Sequence, residues 1–332
     1  MYEHYYGFKA KPFQLRPDPN FFYASKGHKR AASYLEYGLS QEEGFIVITG
    51  EIGAGKTTLL RNLFAKLPSQ NIVAGQITNT HLNPDDTLRM VLGAFGLPYE
   101  DATKAVLLTR IEKFLRECDR QGKRALLLID EAQNLSQHSV EELRMLSNFQ
   151  TADKSLLQTF LLGQPEFRKT LLGDDMKQLQ QRVIATYHLG PMEASETQSY
   201  IEHRLRTVGW QETPSFNHQA FAAIHDFTGG IPRKINTLCD RLLLMGYLEE
   251  IHAFGKSEVD EVTQDIQQEF VLPDYETKAE IFSDVTQSEL TETLPVTLES
   301  LNNRLSRMER SVTSILAMLK RLLSKNPPKE KI

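Results

Sequence analysis

The 332-residue chain is poor in cysteine, in long apolar runs and in excess basic charge, and each shortage excludes a class of protein. Its two cysteines, Cys118 and Cys239, lie far apart and outside any metal-ligand spacing. Neither a disulfide framework nor a zinc site is expected, and two buried thiols in a reducing compartment is the plain reading. No apolar stretch approaches the ~18 residues of a membrane span, the densest run being Ala125 to Ile129, so any membrane contact is expected to be peripheral. The first ten residues carry aromatic and charged side chains, not a basic stub followed by an apolar run, which is not the pattern of a secretory leader and predicts a cytoplasmic protein. Lys and Arg number 38 against 43 Asp and Glu, a net charge of −5, which argues against a dedicated nucleic-acid-coating protein.

What is present is an ordinary soluble composition, 40% hydrophobic and 24% charged. The length predicts about two compact domains. The first 40 residues hold ten of the 29 aromatics, interrupted by Pro12, Pro17 and Pro19, and read as an irregular arm over residues 1–40. Apolar runs then alternate with helical spacing over 41–192, which predicts a parallel sheet covered on both faces. After Pro191 the strand signals stop, and 193–272 reads as an all-helical domain of about four helices. Residues 273–293 read as an acidic linker. In 294–325, Leu298, Leu301, Leu305, Met308, Val312, Ile315, Leu319 and Leu322 follow the alternating 3–4 spacing of a coiled-coil seam, which predicts self-association or burial against a partner or lipid. A basic stretch, 326–332, follows.

Gly50-Glu-Ile-Gly53-Ala54-Gly55-Lys56-Thr57-Thr58 contains the full G-x-x-x-x-G-K-[ST] pattern between a predicted strand and a predicted helix. Glycines let backbone N–H groups curl around phosphates, Lys56 reaches the β- and γ-phosphates, and the Thr57 hydroxyl suits Mg²⁺. The competing reading is a chance glycine turn. Ala125 to Ile129 runs into Asp130-Glu131, a carboxylate pair at the end of a buried strand. Asp130 there can hold Mg²⁺ through its water shell and Glu131 can activate a water, although such a pair can also merely cap a helix. Arg233 opens a helix after Gly229-Gly230-Ile231-Pro232 and can point toward a nucleotide. Arg182, just before the last strand, is placed for a neighbour's phosphate and not its own. Each arginine alone would more often be a surface ion-pair residue; the motif order is what brings them to the site.

With these motifs in this order the sequence resembles an AAA+ ATPase over roughly residues 1–270. The resemblance implies an α/β P-loop fold with a five-stranded parallel sheet in order 5-1-4-3-2, an all-helical lid, ATP and Mg²⁺ as ligands, Gln164 as the strand-end sensor, Arg182 as the arginine finger and Arg233 as the lid sensor. Within that group YYGFKAKPFQLRPDPNFFY, HKRAASYLEYGL, LLLIDEAQNLS, LLGQPEF and GGIPRKINTLCDRLL are similar to general secretion pathway protein A (ExeA-type) ATPases, in particular those linked to exosortase and exopolysaccharide loci. Such proteins continue into a transmembrane helix and a peptidoglycan-binding domain, where this sequence has its seam, which puts cell-wall binding in doubt. Gln164 also departs from the usual Asn or Thr.

The function these features imply is ATP hydrolysis coupled to nucleotide-dependent homo-oligomerisation, assembling or energising an envelope secretion or polysaccharide-export system with an inner-membrane component. Two other readings stand beside it. One is a DNA-associated regulator of the transposition-ATPase type, which the eight Lys or Arg against two acids in 303–332 could serve; that cluster equally suits anionic lipid or the acidic linker, and a basic solvated helix face is the commonest explanation of such a run. The other is a nucleotide-gated adaptor with negligible turnover, against which Glu131, Arg182 and Arg233 argue.

Overall fold

The computed structural model describes residues 1–16, 18–66, 71–78, 84–173 and 176–270. The predicted linker, seam and basic stretch lie outside the described residues.

Five strands, β1 (Phe45–Gly50), β2 (Ile72–Ile77), β3 (Arg124–Ile129), β4 (Leu157–Gly163) and β5 (Val183–Leu189), form a parallel sheet in order β2-β3-β4-β1-β5, the expected order read from the other edge. Because alternate side chains leave opposite faces of a strand, the apolar runs divide between two cores. Phe45, Val47, Leu127, Ile129 and Leu161 face one side, covered by α4 (Pro84–Ala94), α5 (Lys104–Arg120), α6 (Gln137–Leu146), α7 (Pro165–Leu171) and α8 (Lys177–Gln180). Ile46, Ile48, Leu126, Leu128, Phe160 and Leu162 face the other, covered by α2 (Lys26–Gln41) and α3 (Lys56–Lys66). Between β4 and β5 the chain forms two short helices, α7 and α8.

Helix α2 corrects the expectation of an irregular arm through residue 40. Ser25 caps it by accepting from the His28 backbone N–H, and Ala31, Leu35 and Leu39, four apart, bury one stripe against the sheet. The aromatic residues ahead of it do form an arm, opened by the one-turn helix α1 (Tyr2–Tyr5). Tyr2, Tyr6, Phe8, Phe13 and Phe21 are buried in a third core with α9 (Ala194–Thr207), α10 (His218–Thr228), α11 (Pro232–Leu248) and α12 (Lys256–Phe270). The lid is not wholly helical: two-residue strands β6 (Ser215–Phe216) and β7 (Ala253–Phe254) pair in parallel, too short to leave any periodicity in the sequence.

Candidate functional site: a phosphate loop under a lid and an arm

All five parallel strands point their C-terminal ends at the same edge of the sheet, the edge where ligand crevices form in such folds. At this edge β1 turns through Glu51–Gly55 into α3. Two glycines there have no substitute. Gly53 has φ +83° and a Cβ on it would sit 2.4 Å from Cβ of Arg233; Gly55 has φ +98° and a Cβ on it would sit 2.6 Å from Nε2 of His28. The loop is thus wedged between the first turn of lid helix α11, whose Arg233 N–H donates to Gly53 O at 3.2 Å, and helix α2. Ala54 is buried against this frame, and Thr58 follows in the first turn of α3.

Lys56 folds back over the loop, donating from Nζ to the carbonyls of Gly50 at 2.5 Å and Glu51 at 3.0 Å. Burial pushes its pKa down, while Glu131 and Asp130 pull it back up. Thr57 Oγ1 donates to Asp130 Oδ2 at 3.0 Å. Burial raises the Asp130 pKa, and its hydrogen bonds with Thr57 and the Glu131 N–H oppose that rise. A hydroxyl and a carboxylate oxygen side by side at a phosphate loop are the hard oxygen donors that Mg²⁺ takes with phosphate and water, so the residues fit the ion. No cluster of three or more His, Cys, Asp or Glu that could hold a metal occurs among the described residues.

Glu131, in the left-handed region at φ +54°, is turned out of the strand direction. Its Oε2 accepts from Gln133 Nε2 at 2.6 Å and from Gln164 Nε2 at 3.3 Å, and Gln133 Oε1 accepts from the Gln164 backbone N–H at 2.9 Å. Gln164 is therefore brought to Glu131 from the end of β4. Gln133 was visible in the sequence as the last residue of DEAQ, but nothing in its spacing marked it as the clamp on both.

Arg182 stands elsewhere. Its carbonyl accepts from Phe45 N–H at the start of β1, whereas the loop follows the far end of that strand, about 17 Å away at strand rise. Its guanidinium donates to Ser147 O at 3.2 Å and Oγ at 2.8 Å and to Asn148 Oδ1.

Above the loop lies an open cleft of about 210 Å³. One wall comes from the loop and α3, one from the lid through Tyr200, Arg204, Arg233 and Asn236, and one from the arm through Gln14 to Arg16, Asp18 and Phe21 to Tyr23. The arm's part was not foreseen. Arg204, buried with no carboxylate partner among the described residues, builds that wall: it donates to Pro12 O at 2.7 Å, Tyr200 Oη at 2.9 Å and Gln14 O at 3.3 Å, and lies 4.9 Å from the Phe21 ring centre.

Residues 39–171 match the AAA domain family. General secretion pathway protein A of Aeromonas hydrophila is 39% identical over 253 residues, 76% of this chain; the chain spans about half of that relative, 46% of its length. Among solved structures, Cdc6p of Pyrobaculum aerophilum aligns with TM-score 0.59 at 16% identity, over 75% of this chain and 71% of that one. The ORC2 protein of Aeropyrum pernix aligns with TM-score 0.57 at 14% identity, over 77% and 72%. At such identities these two speak for the fold alone. No helix among the described residues is long and apolar enough to cross a membrane. Sheet order, phosphate loop and relatives together make this chain the bearer of an AAA domain on a P-loop AAA+ ATPase fold, related to general secretion pathway protein A.

Proposed function

We propose that the protein binds and hydrolyses ATP and uses nucleotide-dependent self-association to assemble or energise an envelope secretion system, of the kind linked to exosortase and exopolysaccharide export. The observation that carries the ATPase reading is the juxtaposition of Thr57 with Asp130 and of Glu131 with Gln133 and Gln164 at the mouth of the phosphate loop. The secretion reading rests on the 39% identity to general secretion pathway protein A.

Loop N–H groups and Lys56 bind the phosphates, Lys56 exchanging its two carbonyl partners for phosphate oxygens. Thr57 and Asp130 would hold Mg²⁺, which would supply positive charge to the phosphates. Water attacks the γ-phosphorus and gives its proton to Glu131, and the bridging P–O bond breaks with its electrons going to ADP. Gln133 and Gln164 keep the accepting carboxylate in place. Arg233 covers the site from the lid in cis; Arg182, at the opposite end of its own sheet, serves a neighbouring copy, and the seam in 294–325 helps bring copies together near an inner-membrane partner. Residues 41–192 form the ATPase core and 193–272 its lid. The DNA-associated reading has only the basic cluster of 303–332 in its favour, since the Cdc6p and ORC2 structures share the fold alone.

Glu131→Gln should bind ATP and Mg²⁺ with near-normal affinity yet release phosphate at least ~10²-fold more slowly, and Lys56→Ala should lose affinity. Near-normal turnover in Glu131→Gln refutes the base assignment. Failure of the wild-type chain to bind ATP refutes the whole reading.

A further inference from the structure

The first turn of α2 touches the phosphate loop and the lid at once. His28 is buried there. Nδ1 is 2.7 Å from Ser25 Oγ, and the same oxygen accepts the His28 backbone N–H at 3.2 Å. Nε2 lies over the loop at Gly55, beside the backbone of Ala54. Burial holds the ring neutral, so one nitrogen donates and the other accepts. The Ala54 N–H already donates to Glu51 O, so the Ala54 carbonyl is the group an Nε2 proton can meet, with Nδ1 then accepting from the Ser25 hydroxyl. One residue away, the Lys26 backbone N–H donates to Glu196 Oε1 at 2.7 Å and Lys26 Nζ to Glu193 Oε2 at 2.8 Å. Glu193 and Glu196 form the capping box that starts lid helix α9.

We propose that His28 is a positioning residue for the phosphate loop: its Nε2–H fixes the backbone at Ala54 and Gly55 so that the loop amides converge on phosphate, and the Lys26 contacts fix the same helical turn to the lid. The inference rests on the ATP-binding reading above. It differs from simple packing in what it demands chemically, which is one donor at the Nε2 position of a ring oriented by Ser25.

Amide substitutions separate the two, because a glutamine Nε2 reaches about as far as the ring's Nε2 whereas an asparagine amide stops near Nδ1. His28→Gln should recover most of the wild-type ATP affinity, and His28→Asn should weaken it about tenfold, the scale of one lost buried hydrogen bond. In Ser25→Gly, which retains most of the capping preference, the unanchored ring should weaken binding in the same direction with little change in melting temperature. Affinities are measured by calorimetric titration of MgATP into the full chain. In parallel, hydrogen–deuterium exchange of a peptide spanning residues 51–58 is followed without nucleotide, where His28→Asn should exchange faster than wild type and His28→Gln should not. Equal losses in the Gln and Asn variants, or wild-type affinity and exchange in Ser25→Gly, overturn the proposal. If the wild-type chain itself fails to bind ATP, the parent reading falls, and the exchange comparison still decides whether His28 holds the loop.

Discussion

Arg204→Met tests whether the arm is a working wall of the cleft. The arginine brings a full charge into the lid core and donates to two main-chain carbonyls of the arm, Pro12 O and Gln14 O, and to Tyr200 Oη. Methionine removes the desolvation cost of that charge and fills much of the volume, which favours the mutant. Against this, the Pro12 carbonyl is left without its donor at a point where Phe13 and Phe21 on either side are buried and keep it from water. Charge-assisted hydrogen bonds contribute about 1.5–3 kcal/mol each; counting the two shorter ones and subtracting the relieved desolvation leaves a net loss of about 2–3 kcal/mol. For a folded unit of this size that lowers the melting temperature by ~5–10 °C. The chain's single tryptophan, Trp210, lies in the lid with Nε1 donating to Pro214 O, so its fluorescence in a urea titration reports unfolding of the affected core. Loosening the arm also removes one wall of the cleft, so ATP affinity should fall in the same variant. Unchanged or increased stability with unchanged affinity would show that the arm is passively attached.

A second expectation concerns pH. Burial lowers the pKa of His28 and of His203, so the unfolded chain takes up protons first. Both therefore contribute stability that is present above the unfolded value near 6.5 and is lost as pH falls below it. Urea midpoints should drop between pH 7.5 and 5, less steeply in His28→Gln, and an identical slope in that variant would refute the assignment. A third concerns Arg182: mixed Arg182→Ala and Lys56→Ala chains, each nearly inactive alone, should regain ATPase activity when co-assembled, since a wild-type loop then faces a wild-type finger. No recovery in a mixture shown to co-assemble would count against action in trans.

The sheet was legible because five apolar runs alternate with helical spacing, and the loop because its residue types are dictated by phosphate chemistry. Helix α2 was equally written, in the Ser25 cap and the Ala31, Leu35, Leu39 stripe, but the aromatic and proline content of the first 23 residues was extended over it. What could not be read were contacts between residues distant in sequence. Gln133 and Gln164 meet only because β3 and β4 are neighbours, and His28 meets Gly55 only because α2 and α3 cover the same face. A glutamine or histidine carries no signal of such a role until the fold brings its partner. Strands β6 and β7 are invisible for a different reason, since two residues cannot show a period of two.

Strand order also fixes when, during synthesis, the molecule can close. Strand β1 pairs with none of its neighbours in sequence: Phe45 aligns with Thr159 and with Val183, so the strand that carries the phosphate loop waits for most of the sheet to be made. The arm waits longer, because its burial needs the lid; Tyr2 donates to Asp240, 238 residues further on. At roughly 5–20 residues per second on the ribosome, Tyr2, Tyr6, Phe8 and Phe13 stay without their partners for about 10–50 s. Contacts of such long range slow folding and leave apolar surface open to the wrong partners. The feature that walls the cleft in the finished protein is therefore among the last parts of the fold to close.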